Sequence, residues 1–484
     1  MIRYTADRSA VSARVPSCPS REESSTEPLP PINVRVSVFF DGTGNNIFNT
    51  RTRLERNEVP ANTLVSDYSS FTNDYSNVAE LAMHIIPVNS ENDFHVPVYI
   101  EGIGTYHGSS ESIEGSAYGN GSTGVQDRVT STLNQLSRII NNLCSETSRE
   151  ISLLKLDVFG FSRGSACARH FIHRYFESGG GMNFPMQTIL QLNRITVSTV
   201  QFPFIGLFDT VASLGSDHND DTPTLHLDSI SRGEVIRVVH IVASDEHRFN
   251  FSLTDIQSAG GKGLEINIPG VHSDVGGGYN NISTFDMSEN NLPIIHIEHS
   301  PTTTDWDQVL RIQRRFRQDM LRWIRLGWYE ESEFVINPNY DPALPNSLLT
   351  IAEPLKVRRT NISNAYKKVP LALMSKYATQ DGQLQFESDV SSSAIRDSFL
   401  TGVYSRIEGN IGQSMDYWVS TVDPQLRQLR HRYFHMSSHY NLTLGLIWAM
   451  KPQFFRSDRS GSSAWEYNDE AVIRGERKRR IHPG

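Results

Sequence analysis

The stretch from Leu153 to Phe171, LLKLDVFGFSRGSACARHF, limits what this chain can fold into more than any other. Its apolar start (Leu153, Leu154, Leu156, Val158, Phe159) predicts a buried strand, and the Ala- and Arg-rich residues after Gly164 predict a helix. Between them lies Gly160-Phe161-Ser162-Arg163-Gly164, a G-x-S-x-G turn. Such a turn from strand to helix holds its serine in a strained conformation, and small residues on either side let neighbouring backbone pass closely. Gly160 and Gly164 fill those places, so Ser162 is a candidate nucleophile. The competing explanation is an ordinary turn.

Other apolar runs in the chain also end in residues that can do chemistry. Val34–Phe40 leads into Asp41-Gly42-Thr43-Gly44-Asn45-Asn46, a glycine loop whose Gly42 and Thr43 N–H groups are candidate donors to the same crevice as Ser162. Val96–Ile100 is followed by Glu101-Gly102-Ile103-Gly104. Val200–Phe208 ends at Asp209, Arg237–Ser244 at Asp245, and Leu264–Ile268 runs into Pro269-Gly270-Val271-His272-Ser273-Asp274-Val275-Gly276-Gly277-Gly278-Tyr279. Helical periodicity falls between them, at Val78–Ile86 and over Val125–Leu143 with Val129, Leu133, Leu136, Ile139, Ile140 and Leu143 on one stripe. Strands alternating with helices predict an α/β fold, a mostly parallel sheet flanked by helices, with ligands at the carboxyl ends of the strands. The glycine-rich Gly115–Gly124 segment lacks the Gly-Lys-Ser/Thr of a nucleotide loop and is expected to form an active-site rim.

A hydroxyl becomes a useful nucleophile at neutral pH only with a base beside it, and an imidazole base needs an acid to fix its tautomer. His272 is the candidate base. Asp209 is the preferred acid, with Asp245 and then Asp274 as alternatives, because any strand-end carboxylate can reach such a base. Ser162, Asp209, His272 is also the chain order of α/β-hydrolases. The N–H of Arg163, next to the serine, joins Gly42 or Thr43 as a candidate oxyanion donor.

Composition excludes several alternatives. The 484 residues carry 45 basic and 54 acidic side chains, a net −9, which gives no electrostatic case for nucleic acid. Cys18, Cys144 and Cys167 are too few and too scattered for a disulfide scaffold or zinc ribbon. His431, His435 and His439 recur every four residues, which on one helix would suggest a metal, but the Glu of H-E-x-x-H is absent and Arg430 and Arg432 would repel a cation. No metal and no cofactor is expected. His439 is a lesser candidate base.

Four motifs together, VFFDGTGNN at Val38–Asn46, GFSRG at Gly160–Gly164, FDTV at Phe208–Val211 and PGVHSDVGGGY at Pro269–Tyr279, resemble the first family of type VI secretion lipase effectors, antibacterial phospholipases. Weaker echoes extend the resemblance from about Val34 to His439. It implies an α/β-hydrolase fold, with the family's serine, aspartate and histidine falling on Ser162, Asp209 and His272. It also implies membrane phospholipids as substrate, a membrane-facing module, delivery by a spike protein into the periplasm of a target cell, and a cognate immunity protein. A carboxylesterase or peptidase acting on soluble substrates, and a non-catalytic adaptor with the same fold, are the alternatives. The polar stretch Asn280–Asn291 departs from the regular continuation expected at that point.

Three regions are expected: a Ser/Pro/Glu-rich leader at 1–32 with no signal-peptide core, a catalytic domain at 33–300, and a largely helical lid or membrane-binding module at 301–484. In the last region, Asp305–Leu326 reads as an amphipathic helix with an aromatic and an arginine face. The basic run Arg474–Arg480 is expected to be a solvated terminus or a lipid-headgroup contact.

Overall fold

A computed structural model of the chain describes residues 30–56, 70–108, 119, 121–147, 149–177, 186, 190, 195–214, 221–246, 248, 251–280, 320–321, 324–325, 327–336, 355–357, 362–412, 423–435, 479 and 481–484. The expected leader up to residue 29, the lid stretch after Asn280, most of the Asp305–Leu326 helix, His439 and the basic residues 474–478 lie outside the described residues.

Six apolar runs become a wholly parallel sheet: β1 (Ile32–Phe40), β2 (Asp93–Ile100), β3 (Ile151–Phe161), β4 (Val197–Phe208), β5 (Val235–Ala243) and β7 (Gly263–Ile268). A two-residue strand, β6 (Leu253–Thr254), stands apart from it. The strand order is β2-β1-β3-β4-β5-β7, so β1, β3, β4 and β5 are interior. Interior parallel strands are covered on both faces and read as continuous apolar runs rather than alternations. Asp157 interrupts the run in β3, and it is buried with Arg35 bonding both its oxygens, at 2.6 and 2.8 Å, and Ser37 at 3.2 Å.

Each sheet face has its own core. Val34, Val36, Val38 and Phe40 of β1 point to one face with Leu154, Leu156 and Val158 of β3. That face is covered by α3 (Val125–Thr147) and α4 (Arg163–Phe176). Phe39, Phe159 and Phe204 point to the other, where Phe39 stacks on Phe159 with ring centroids 4.8 Å apart. Burying each such ring contributes roughly 1.5–3 kcal/mol. Among the described residues of the N-terminal half, α2 (Asn77–His84) covers part of this second face, and α1 (Ile47–Arg56), beside the glycine loop, adds Ile47 to the same core. Much of the remainder comes from beyond residue 360, from α7 (Lys368–Gln380), α8 (Ser398–Gly409) and α9 (Pro424–Arg432); two short turns of helix, α5 (Thr222–Leu225) and α6 (His272–Gly276), precede them in the chain. Met374, Leu371 and Leu373 share one core with Phe159 and Phe204, so these helices form a layer of the α/β core itself. An antiparallel pair, β8 (Phe334–Ile336) with β9 (Leu355–Val357), and a last strand, β10 (Ile481–His482), parallel to β6, complete the described elements.

Candidate active site

The carboxyl ends of β1, β3, β4, β5 and β7 carry the residues singled out above. Ser162 follows β3 directly, at φ 58° and ψ −127°, a left-handed conformation costing a non-glycine residue about 1–3 kcal/mol. Backbone bonds fix it: its N–H donates to the Phe208 carbonyl at 3.0 Å, and its own carbonyl accepts from Ser165 at 3.0 Å. A Cβ on Gly164 would stand 2.4 Å from the carbonyl oxygens of both Phe40 and Asp41, and one on Gly160 would stand 2.5 Å from the Gly164 oxygen. The two glycines therefore let the turn lie against the end of β1, and Ser162 remains 5% exposed.

Asp209 ends β4 and His272 opens α6, and the two meet across β5. His272 Nδ1 lies 2.5 Å from Asp209 Oδ2. The other carboxylate oxygen accepts the Ala243 N–H at 2.9 Å and Arg479 Nη1 at 2.6 Å. Asp209 is fully buried, which by itself would raise its carboxyl, yet Arg479 and His272 together hold it well below the usual carboxylate range. Burial pushes the His272 imidazole below its ordinary value, and Arg248 pushes the same way, against the opposing pull of Asp209 and Glu246. The ring is thus neutral near pH 7, the form in which a base accepts a proton. Phe161 packs 4.7 Å from it, centroid to centroid, and Phe251 meets it edge-on at 5.0 Å.

The glycine loop after β1 sits beside the turn, but its two candidate donors differ. Gly42 N–H donates to the Asp41 carboxylate at 2.7 Å, so it is engaged within the loop. Thr43 faces Arg163, whose Nε donates to Thr43 Oγ1 at 2.9 Å. Asp41 also accepts from Ser76 Oγ at 2.5 Å and Tyr99 OH at 2.6 Å, tying the loop to the start of α2 and to β2.

The alternative acids have other partners. Asp245 accepts Arg430 Nη2 at 2.6 Å and the Gly270 N–H at 2.9 Å. Asp274 accepts the N–H of Val271 at 3.1 Å, as a carboxylate in a helix's first turn does, and bonds His435 Nδ1 at 2.8 Å. The helical face that would align His431, His435 and His439 ends early, because α9 stops at Arg432. His431 turns instead to Glu330 at 3.6 Å, and His435 stacks on Tyr279 at 4.3 Å. Among the described residues, His84, Glu387 and Asp389 bring possible ligand atoms within 4.8 Å of one another, but both carboxylates are exposed.

Sequence reasoning missed four buried residues beside this site, Glu246, Arg248, Arg479 and Asp41. Glu246 accepts the His272 backbone N–H at 3.1 Å and pairs with Arg248 at 3.0 Å; despite burial, Arg248 holds its carboxyl down to about 2. Arg479 belongs to a run that reads as a solvated tail. Asp41 was visible only as part of a glycine loop. For Glu246 and Arg248 the spacing Asp245-Glu246-His247-Arg248 behind a strand was the available signal.

Comparison with known proteins agrees with this architecture. Residues 186–297, which include Asp209 and His272, match the family model described as T6SS, phospholipase effector Tle1-like, catalytic domain. The structure of the Tle1 effector bound to the VgrG spike of the type VI secretion system aligns with a TM-score of 0.59 and 21% identity, over 99% of this chain and 100% of that one. An uncharacterized protein from Pseudomonas aeruginosa aligns at 17% identity over 84% of this chain and 64% of its own, with a TM-score of 0.33. No curated protein matches the chain. In its fold over nearly its whole length, and in sequence over residues 186–297, the chain is similar to the Tle1-like phospholipase effectors of type VI secretion.

Proposed function

We propose that the chain is a serine phospholipase of the type VI effector kind, hydrolysing acyl esters of membrane glycerophospholipids. Ser162 attacks the acyl carbonyl, His272 takes its proton through Nε2, and Asp209 holds the imidazole by Nδ1 and stabilises its protonated form. The oxyanion forms against the N–H groups of Arg163 and Thr43, the loop donor left once Gly42 is bonded to Asp41. The imidazolium then protonates the departing lysolipid oxygen, and water releases the fatty acid by the same steps. The observation that carries this reading is the 2.5 Å contact of His272 with a buried, charge-compensated Asp209, at the sheet edge that bears the strained Ser162.

By the same reading, a spike protein delivers the chain, a cognate immunity protein restrains it in the producing cell, and parts of 301–484 face the target membrane. No helix of the described residues is long and apolar enough to cross a membrane, so contact with lipid is proposed at the surface. The test is fatty-acid release from phosphatidylethanolamine and phosphatidylglycerol vesicles by the parent beside Ser162→Ala. Release by the parent, and a drop on the order of 10⁶-fold in the variant, supports the reading. A parent that leaves vesicles intact but cleaves short soluble esters through Ser162 overturns the lipid substrate.

A further inference from the structure

The acid of the site is gripped by a residue 270 positions further along the chain. Arg479 is 4% exposed; besides Asp209 Oδ1 at 2.6 Å, it bonds the carbonyl oxygens of Phe251, from Nε at 2.6 Å, and of Ala243, from Nη1 at 3.4 Å. Residues 481–484 are docked. Ile481 and His482 pair in parallel with Leu253 and Thr254, the Asp255 N–H donates to His482 O at 3.0 Å, and the Gly484 N–H donates to Asp255 Oδ1 at 2.9 Å. β6 in turn reaches the strand that carries the acid, because the Thr254 N–H donates to Thr210 O at 3.0 Å. A continuous set of hydrogen bonds thus joins segment 481–484 to the residue after Asp209.

On the reading of Ser162, His272 and Asp209 given above, we propose that Arg479 is a positioning residue for the catalytic acid. It occupies Oδ1 of Asp209 so that Oδ2 alone faces His272 Nδ1, and segment 481–484, docked on β6, holds it there. A carboxylate with only the Ala243 N–H on one oxygen can turn about its last bond, and the imidazole then loses its fixed tautomer. A guanidinium anchored at two further carbonyls prevents that turn. Charge matters as well. Glu246 with Arg248 and Asp209 with Arg479 form two compensated buried pairs around His272, so the imidazole gains its proton between groups whose own charges stay balanced.

This role differs from simple structural support in its effect on pH. Removing a neighbouring cation makes a proton easier to bind, so the acidic limb of the kcat/KM profile, set by the Asp209–His272 pair, moves to higher pH. The test uses the full chain, an ester substrate, and Arg479→Met, Arg479→Lys and Gly484→Val. The last would place its Cβ about 2.2 Å from the Asp255 carbonyl oxygen and undock the segment without touching Arg479.

Arg479→Met is expected to lower kcat by roughly tenfold or more with little change in KM, and to raise the acidic limb by about one pH unit. Arg479→Lys should return the limb to its parental position while recovering only part of kcat, and Gly484→Val should move the limb upward. Titration of the His272 imidazole by NMR in a Ser162→Ala background reads the same pair without catalysis. It decides the matter even if activity does not depend on Ser162, an outcome that would sink the proposed function but not the grip of Arg479. If Arg479→Met does not fold, Arg479→Lys and Gly484→Val carry the test. A parental limb and titration in a folded Arg479→Met, or in Gly484→Val when Met does not fold, overturns the proposal, as does a Lys variant whose limb has moved.

Discussion

Asp41 makes a prediction whose size follows from its surroundings. Its carboxyl is almost wholly buried, and burial lifts it from the ordinary 3.8 to about 6 even though Ser76, Tyr99 and the Gly42 N–H all donate to it and pull it back. A group whose folded value is raised favours folding in its protonated form. Its contribution is complete below pH 3.8 and is lost as pH climbs through about 6. A separation of that size corresponds to roughly 3 kcal/mol. Asp41→Asn keeps the shape and one acceptor oxygen but cannot ionise, so it escapes the loss. Urea denaturation of parent and variant at pH 4 and pH 8 gives a stability difference at each pH. The variant should gain about 2.5 kcal/mol on the parent between the two, a little less than the full amount because pH 4 lies just above 3.8. Any fixed cost of exchanging an oxygen for an amide cancels in that comparison. An equal difference at both pH values would refute the reasoning, because Asp41 would then ionise as readily in the fold as in water.

Three further substitutions concern the site. Asp209→Asn should cut fatty-acid release by about 10⁴-fold with the fold retained. Asp245→Asn, which breaks the contact with Arg430, should cost about 3 kcal/mol of stability and leave the pH profile of release unchanged; the opposite assignment of losses would make Asp245 the acid. Gly164→Ala puts a methyl group 2.4 Å from two backbone oxygens that cannot swing away, and should abolish release along with about 1–3 kcal/mol of stability, seen as a lowered Tm.

What the sequence revealed was whatever is local. The four interior strands appear as apolar runs because they bury both faces, and the G-x-S-x-G turn is legible because two glycines at fixed spacing are a steric requirement of one turn. The pairing of His272 with Asp209 was legible by rule, as strand-end residues in a parallel sheet converge. What escaped was set by partners far along the chain. Arg479 looks like any arginine in Arg477-Lys478-Arg479-Arg480, and nothing in that run says that one of the four is buried on a carboxylate. Asp274 and His435, 161 residues apart, likewise show their pairing only in three dimensions. The helical spacing of His431 and His435 does not carry into the fold because α9 ends between them.

The two-sided core has a consequence for the chain's birth. β1, β3, β4 and β5 are synthesised by residue 243, but the helix that seals Phe39, Phe159 and Phe204 begins only at Lys368. At ribosomal rates of about 5–20 residues per second, the second face of the sheet stays without α7 for on the order of ten seconds. During that interval the nascent chain presents Phe39, Phe159 and Phe204 on a face where α2 is already made but α7 is not, an apolar surface that has to be shielded from other chains. A change that weakens α7 should therefore show first as lost soluble yield during expression, before any purified protein shows lost activity.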